Sequence, residues 1–206
     1  MILIQFKGHM SNQNNNDLLL LAARDGNVAE VRRLIPISDP KVNHSEALQL
    51  AAHNGHTSCV ELLIAVSDPK AQNSSALLWA ARSGHIACVE LLIPVSDPKA
   101  QSSAALSVAA GRGDVQCVAL LIPVSDPKAK DSSALSGASF YGHTPCVELL
   151  YPVSDPLIVL KQLQHQWPHD SKKWGQLQEM IEVERVRNML NAEVETPTAA
   201  KVQRKF

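Results

Sequence analysis

Apolar residues in this chain come in paired short runs. Between Ser74 and Pro94, Ala76, Leu77, Leu78, Trp79, Ala80 and Ala81 make one run, and Ile86, Ala87, Cys88, Val89, Leu91, Leu92 and Ile93 make the next. Both read as helices bounded by breakers rather than as the strict alternation of a half-buried strand. Ser74 stands before the first run as a candidate N-cap, and Gly84 follows it where a helix closes on a left-handed residue. Pro94 stops the second run. The pattern predicts one helix over Ser75 to Ser83 and another over Ile86 to Ile93. They are followed by a connection, Pro94 to Ala100, that two prolines make stiff and irregular.

The same pair returns at a fixed interval. Ser-Asp-Pro opens at Ser38, Ser67, Ser96, Ser125 and Ser154, with one constant spacing throughout. Columns follow from that period. Leu19, Leu48, Leu77, Leu106 and Leu135 share one position, and Gly26, Gly55, Gly84, Gly113 and Gly142 close the first helix each time. Small pairs, Ala51-Ala52 and Ala80-Ala81 among them, let neighbouring helices approach. Helices of about eight residues do not hold alone in water, where ~12 to 15 are needed for marginal stability. Stacking must supply the rest, and repetition at this period marks a solenoid. The expected architecture is all-α, a solenoid of stacked helix-turn-helix units. Its divisions are a polar, disordered N-terminus (1–13), five repeats (14–156), a helical C-terminal cap (157–194) and a basic tail (195–206). In the first unit Glu30 and Arg33 replace Cys59 and Leu62 of the second, the polar face an end unit needs. The cap reads as a helix to Gln166, a break at Pro168, and a longer helix from Ser171 to Glu193. On that helix Trp174, Leu177, Ile181 and Leu190 are expected to form one apolar stripe.

The string Ala-Leu-x-x-Ala-Ala-x-x-Gly-His-x-x-x-Val-x-Leu-Leu, at Ala47 to Leu63 and again at Ala76 to Leu92, resembles the ankyrin repeat core. That family's unit runs to about 33 residues, roughly four more than the interval here. The shorter unit lacks residues around the turn that builds the protruding β-hairpin finger, so the resemblance implies ankyrin-like helix pairs with reduced or absent fingers. It also implies a concave face, formed by the ends of the first helices, that commonly contacts protein partners.

Charge narrows the partner. Lys and Arg number 19 against 20 Asp and Glu, a balance that gives no basic face for nucleic acid or anionic lipid. No apolar run reaches the roughly 18 residues of a membrane span, and the apolar start at Met1 is too short for a signal peptide. Cys59, Cys88, Cys117 and Cys146 occupy one column on the second helices. Stacked helices lie about 8 to 10 Å apart, beyond the ~7 Å reach of a disulfide and too spread for one tetrahedral metal. They read as small buried residues, their free thiols fitting a reducing, cytoplasmic compartment. His56, in the Gly-His column, reads as a structural hydrogen-bonding residue. No nucleophile, phosphate-binding or metal motif occurs, so no catalytic residue, cofactor or small-molecule substrate is expected.

Information for a partner lies where the copies differ. The two residues before each glycine diverge most, and one helical turn earlier the column reads Leu20, Gln49, Leu78, Ser107 and Ser136. The expected partner-binding strip is Gln49, His53, Leu78, Arg82, Arg112, Phe140 and Tyr141, since Arg and Tyr dominate binding hot spots. For Phe140 and Tyr141, packing on the C-terminal helices is an equal alternative. Trp79 is assigned to packing, because its column otherwise reads Leu21, Leu50, Val108 and Gly137. The expected function is a non-enzymatic, monomeric protein-binding module, an adaptor or inhibitor. Alternatives are an effector translocated into a host cell's cytosol, a targeting subunit serving a separate enzyme, and a self-associating structural solenoid.

Overall fold

The leucine and alanine columns become the buried faces of two parallel rows of helices. The computed structural model describes residues 2–195, and among them are twelve α-helices and no strand. Each unit is a pair: α1 (Ile2–Arg24) with α2 (Val28–Leu34), α3 (Val42–His53) with α4 (Thr57–Ile64), α5 (Ala71–Ser83) with α6 (Ile86–Leu92), α7 (Ala100–Arg112) with α8 (Val115–Leu121), and α9 (Ala129–Tyr141) with α10 (Thr144–Leu150). The first helices stack in order, the second helices form a row beside them, and α11 (Pro156–Gln166) continues the first row onto α9. The core is therefore one continuous seam. Leu48, Leu63, Ala51, Ala52 and Val60 of the second unit are fully buried, and their equivalents repeat that burial along the stack. A buried leucine stabilises by about 1.5–3 kcal/mol, so two such residues per unit, shared with neighbours, hold helices that are too short to stand alone.

Two expectations about the first helices are corrected. Helix α1 runs back to Ile2, so residues 2–13 are helical where a disordered segment was expected. Once the docked turn at Asp17 to Arg24 is nucleated, each added residue brings a hydrogen bond without a new nucleation cost, and no proline interrupts the run. The second correction concerns Ser74. It does not cap its helix: Gln72, Asn73 and Ser74 form a left-handed turn with φ of 48°, 57° and 62°. Its Oγ instead accepts the backbone N–H of Asp97 at 2.8 Å. The same turn and the same bond recur at Ser45 with Asp68, Ser103 with Asp126 and Ser132 with Asp155. In the first unit Asn16 does this work for Asp39.

Each left-handed L-residue costs roughly 1–2 kcal/mol. The turn persists because it aims a buried hydroxyl at the connection leaving the same unit, where the Asp side chain also accepts from the Lys N–H two residues on. Connections are tied to one another as well. Ser67 Oγ donates to the Pro40 carbonyl, and Ser96, Ser125 and Ser154 repeat the contact with Pro69, Pro98 and Pro127. This ladder of Ser-Asp-Pro connections occupies the edge where a longer unit would build its hairpin.

The C-terminal part is a cap that reaches only half-way along its last helix. Val159 and Leu163 of α11 and Leu177 of α12 (Gly175–Glu195) are buried, with Trp167, Trp174 and Ile181 packed around them. Leu190 does not join that stripe and is 57% exposed. It lies nine residues after Ile181, and at about 3.6 residues per turn that places it on the opposite side of the helix. Of the basic tail expected over 195–206, Glu195 ends α12, and residues 196–206 lie outside the described residues.

Candidate functional site

All seven expected strip residues sit on the first-row helices α3, α5, α7 and α9, within two turns of their C-terminal ends. Each of α5, α7 and α9 closes on a left-handed glycine: Gly84 (φ 76°) returns its N–H to the Ala81 carbonyl while His85 N–H reaches back to Ala80. This close, repeated in register, keeps the preceding residues pointing along one face.

Trp79 is the centre of what that face brings together. Its indole is half-buried, meets the His53 ring edge-on at 5.1 Å, and carries the Arg82 guanidinium over its face at 5.2 Å from the ring centre. An open pocket of about 240 Å³ beside it is lined by Glu46, Gln49, Leu50, His53 and Trp79. Gln49 is held by a bond from Nε2 to the His44 carbonyl (2.9 Å), and Glu46 accepts from Asn43 Nδ2 (2.9 Å). Ser83 Oγ lies 3.1 Å from His53 Nδ1. Gln49, His53 and Arg82 thus form one cluster around a residue assigned from sequence to packing. Its signal was visible: Trp79 is the lone aromatic in its column, next to Arg82, and Trp is the residue type most enriched at hot spots. Leu78 is half-buried beside the cluster and does not line the pocket.

Further along the face the surface flattens. Gly137 stands where a Cβ would come within 3.4 Å of the Gly111 Cα, so α7 and α9 approach closely. Arg112 is exposed at the end of α7. The aromatic pair divides. Phe140 packs against Trp167 of the cap at 4.6 Å, whereas Tyr141 is 64% exposed and meets Phe140 edge-on at 4.8 Å.

The cysteine column is on the other row. Cys59, Cys88, Cys117 and Cys146 are fully buried, free thiols, one in each of α4, α6, α8 and α10. Burial pushes all four upward, and Cys117, with the Asp114 carboxylate adding to burial, up to about 12. A thiol held protonated is a poor nucleophile and a poor metal ligand. The histidines join units. His56, His85 and His143 set Nε2 at 2.9, 3.0 and 3.1 Å from the carbonyl oxygens of Arg24, His53 and Gly111 in the preceding unit. A carbonyl only accepts, so Nε2 carries the proton in each.

A family model of ankyrin repeats matches in three copies, over residues 2–73, 19–102 and 77–158. The chain belongs to the ankyrin-repeat family. Its helix pairs, its Gly-His junctions and its first-helix face are those of ankyrin repeats, built here in a shortened unit without a hairpin strand among the described residues. No curated protein matches the chain. Ankyrin repeats generally mediate protein–protein interaction and are typically non-enzymatic. Among the described residues no helix is long and apolar enough to cross a membrane.

Proposed function

We propose that this ankyrin-repeat chain is a non-enzymatic adaptor or inhibitor that holds a protein partner on the face formed by the ends of its first helices, in a reducing, cytoplasmic setting. The contact centres on Trp79, with Gln49, His53, Leu78 and Arg82 around it and Arg112 and Tyr141 extending it along the stack. The observation that carries this reading is the Trp79 cluster. A half-buried indole with a guanidinium on its face and an open pocket at its side has the make-up of a binding hot spot, and its side chains are already held in place, which lowers the ordering cost of association. Nothing in the repeat itself requires Trp there, since the other units manage with Leu21, Leu50, Val108 and Gly137. In this reading Phe140 acts indirectly, seating the cap that supports Tyr141. Capture of partners by the immobilised chain, repeated with Trp79→Ala and with Arg82→Ala/Arg112→Ala, tests it. The expected result is one protein retained by the wild type and lost by both variants; equal retention by all three overturns the assignment to this face.

A further inference from the structure

We propose that the outer face of α12 joins two copies of this chain, pairing antiparallel through Glu182 to Arg187. A helix that only covers the end of a stack should be polar on its outside. This one is not. Val183, Val186, Met189 and Leu190 are 46–58% exposed, whereas Leu177 and Ile181, on the opposite side of the same helix, pack into the cap. One helix thus carries two apolar faces, and one of them has no cover among the described residues.

The sequence of the uncovered half names its occupant. Glu182-Val183-Glu184-Arg185-Val186-Arg187 read backwards exchanges every acid for a base and leaves each valine a valine. Residues three apart share a side of a helix, so Glu182 and Arg185 lie on one flank of the valine seam, Arg187 lies on the other, and Glu184, three after Ile181, faces the cap. Glu182 and Arg185 already approach to 3.7 Å within the helix. Glu184 is engaged within the protomer, accepting from the Tyr151 hydroxyl. When a second α12 runs antiparallel about a two-fold axis between positions 184 and 185, Val183 meets Val186 and Glu182 meets Arg185 of the other copy, each contact made twice. A foreign partner needs no such symmetry, whereas a two-fold contact with self requires it. The parallel arrangement sets Arg185 beside Arg187, base on base. Exposed ion pairs contribute little, about 0–1 kcal/mol each, so the apolar seam drives association and the charges select orientation. A dimer joined at its ends presents two Trp79 faces, which differs from the monomer expected from sequence and lends avidity toward a partner with repeated sites.

Sedimentation equilibrium or light scattering on the full chain tests the proposal. The wild type is expected to have twice the monomer mass, and Val186→Glu/Leu190→Glu to be a monomer with an unshifted circular dichroism melt. Glu182→Arg should weaken the dimer several-fold, and Glu182→Arg/Arg185→Glu should restore it. A wild type that stays monomeric up to its solubility limit overturns the proposal and leaves the face to residues 196–206 or to another protein. A Glu182→Arg dimer as tight as wild type overturns the antiparallel register.

Discussion

His85 lies on Gly55. Its Nε2 donates to the His53 carbonyl at 3.0 Å, and a Cβ placed on Gly55 would stand 2.5 Å from its Nδ1. At Gly26, Gly55 and Gly113 glycine thus has two causes, a left-handed backbone (φ 76° at Gly55) and a histidine ring from the next unit occupying the space of a side chain.

Gly55→Ala and Gly142→Ala separate those causes. Gly142 has a similar φ of 73° and nothing within 4 Å of its would-be Cβ. Alanine there adds only left-handed strain, about 1 kcal/mol, while at Gly55 it adds the overlap with the histidine ring, for about 2–4 kcal/mol in all. Urea melts should show the larger loss for Gly55→Ala; equal losses would mean that the ring moves aside freely.

The left-handed turn predicts a gain where glycine usually harms. Ser102 is exposed with φ 58° and ψ 48°, and its neighbour Ser103 makes the bond to the Asp126 N–H. Ser102→Gly removes strain without removing that bond and should hold or raise stability by up to ~1 kcal/mol. In an ordinary helix the same change costs about 0.5–1 kcal/mol, and a loss of that size in urea would show that the turn is right-handed in solution.

What the sequence made legible, and what it did not, follows from this geometry. Leu48, Ala51 and Gly55 were readable because five copies in register expose a column that one copy hides. Ser74 was misread because a serine ahead of an apolar run is compatible both with capping its own helix and with bracing Asp97 at the far end of the same unit; the choice lies in the backbone hand, which residue type alone does not state. Leu190 was misplaced because a stripe judged by spacing drifts after two turns. Trp79 was set aside because its column is apolar in three other copies, yet that column lies at the rim of the face, where a large ring remains partly in water.

Buried thiols make stability fall at high pH. The folded state raises their pKa, to about 12 at Cys117 from a usual 9.0, so the contribution is complete below about pH 9. Above it the unfolded chain loses the proton while the folded chain keeps it. Through Cys117, stability therefore declines from pH 9 toward 12, by up to ~1.4 kcal/mol per pH unit. Cys117→Ala should show a shallower decline than the wild type across that window in urea titrations; parallel curves would mean that the thiol is reached by solvent.

The binding face is tested by removing charge and ring separately. Arg82 and Arg112 are exposed, and surface changes usually stay within about 0.5 kcal/mol, so Arg82→Ala/Arg112→Ala should melt like the wild type. Trp79→Ala frees His53 of its ring partner and opens the pocket that both line, a loss of roughly 1–2 kcal/mol for a half-buried ring. Against a captured partner, each should weaken affinity by ~2 kcal/mol or more, over tenfold. Phe140→Ala should behave in the opposite sense, costing stability through its contact with Trp167 and little affinity at temperatures where the cap remains folded. Isothermal titration beside thermal melts gives both numbers for each variant. Wild-type affinity in both the tryptophan and the arginine variants would move the contact off this face.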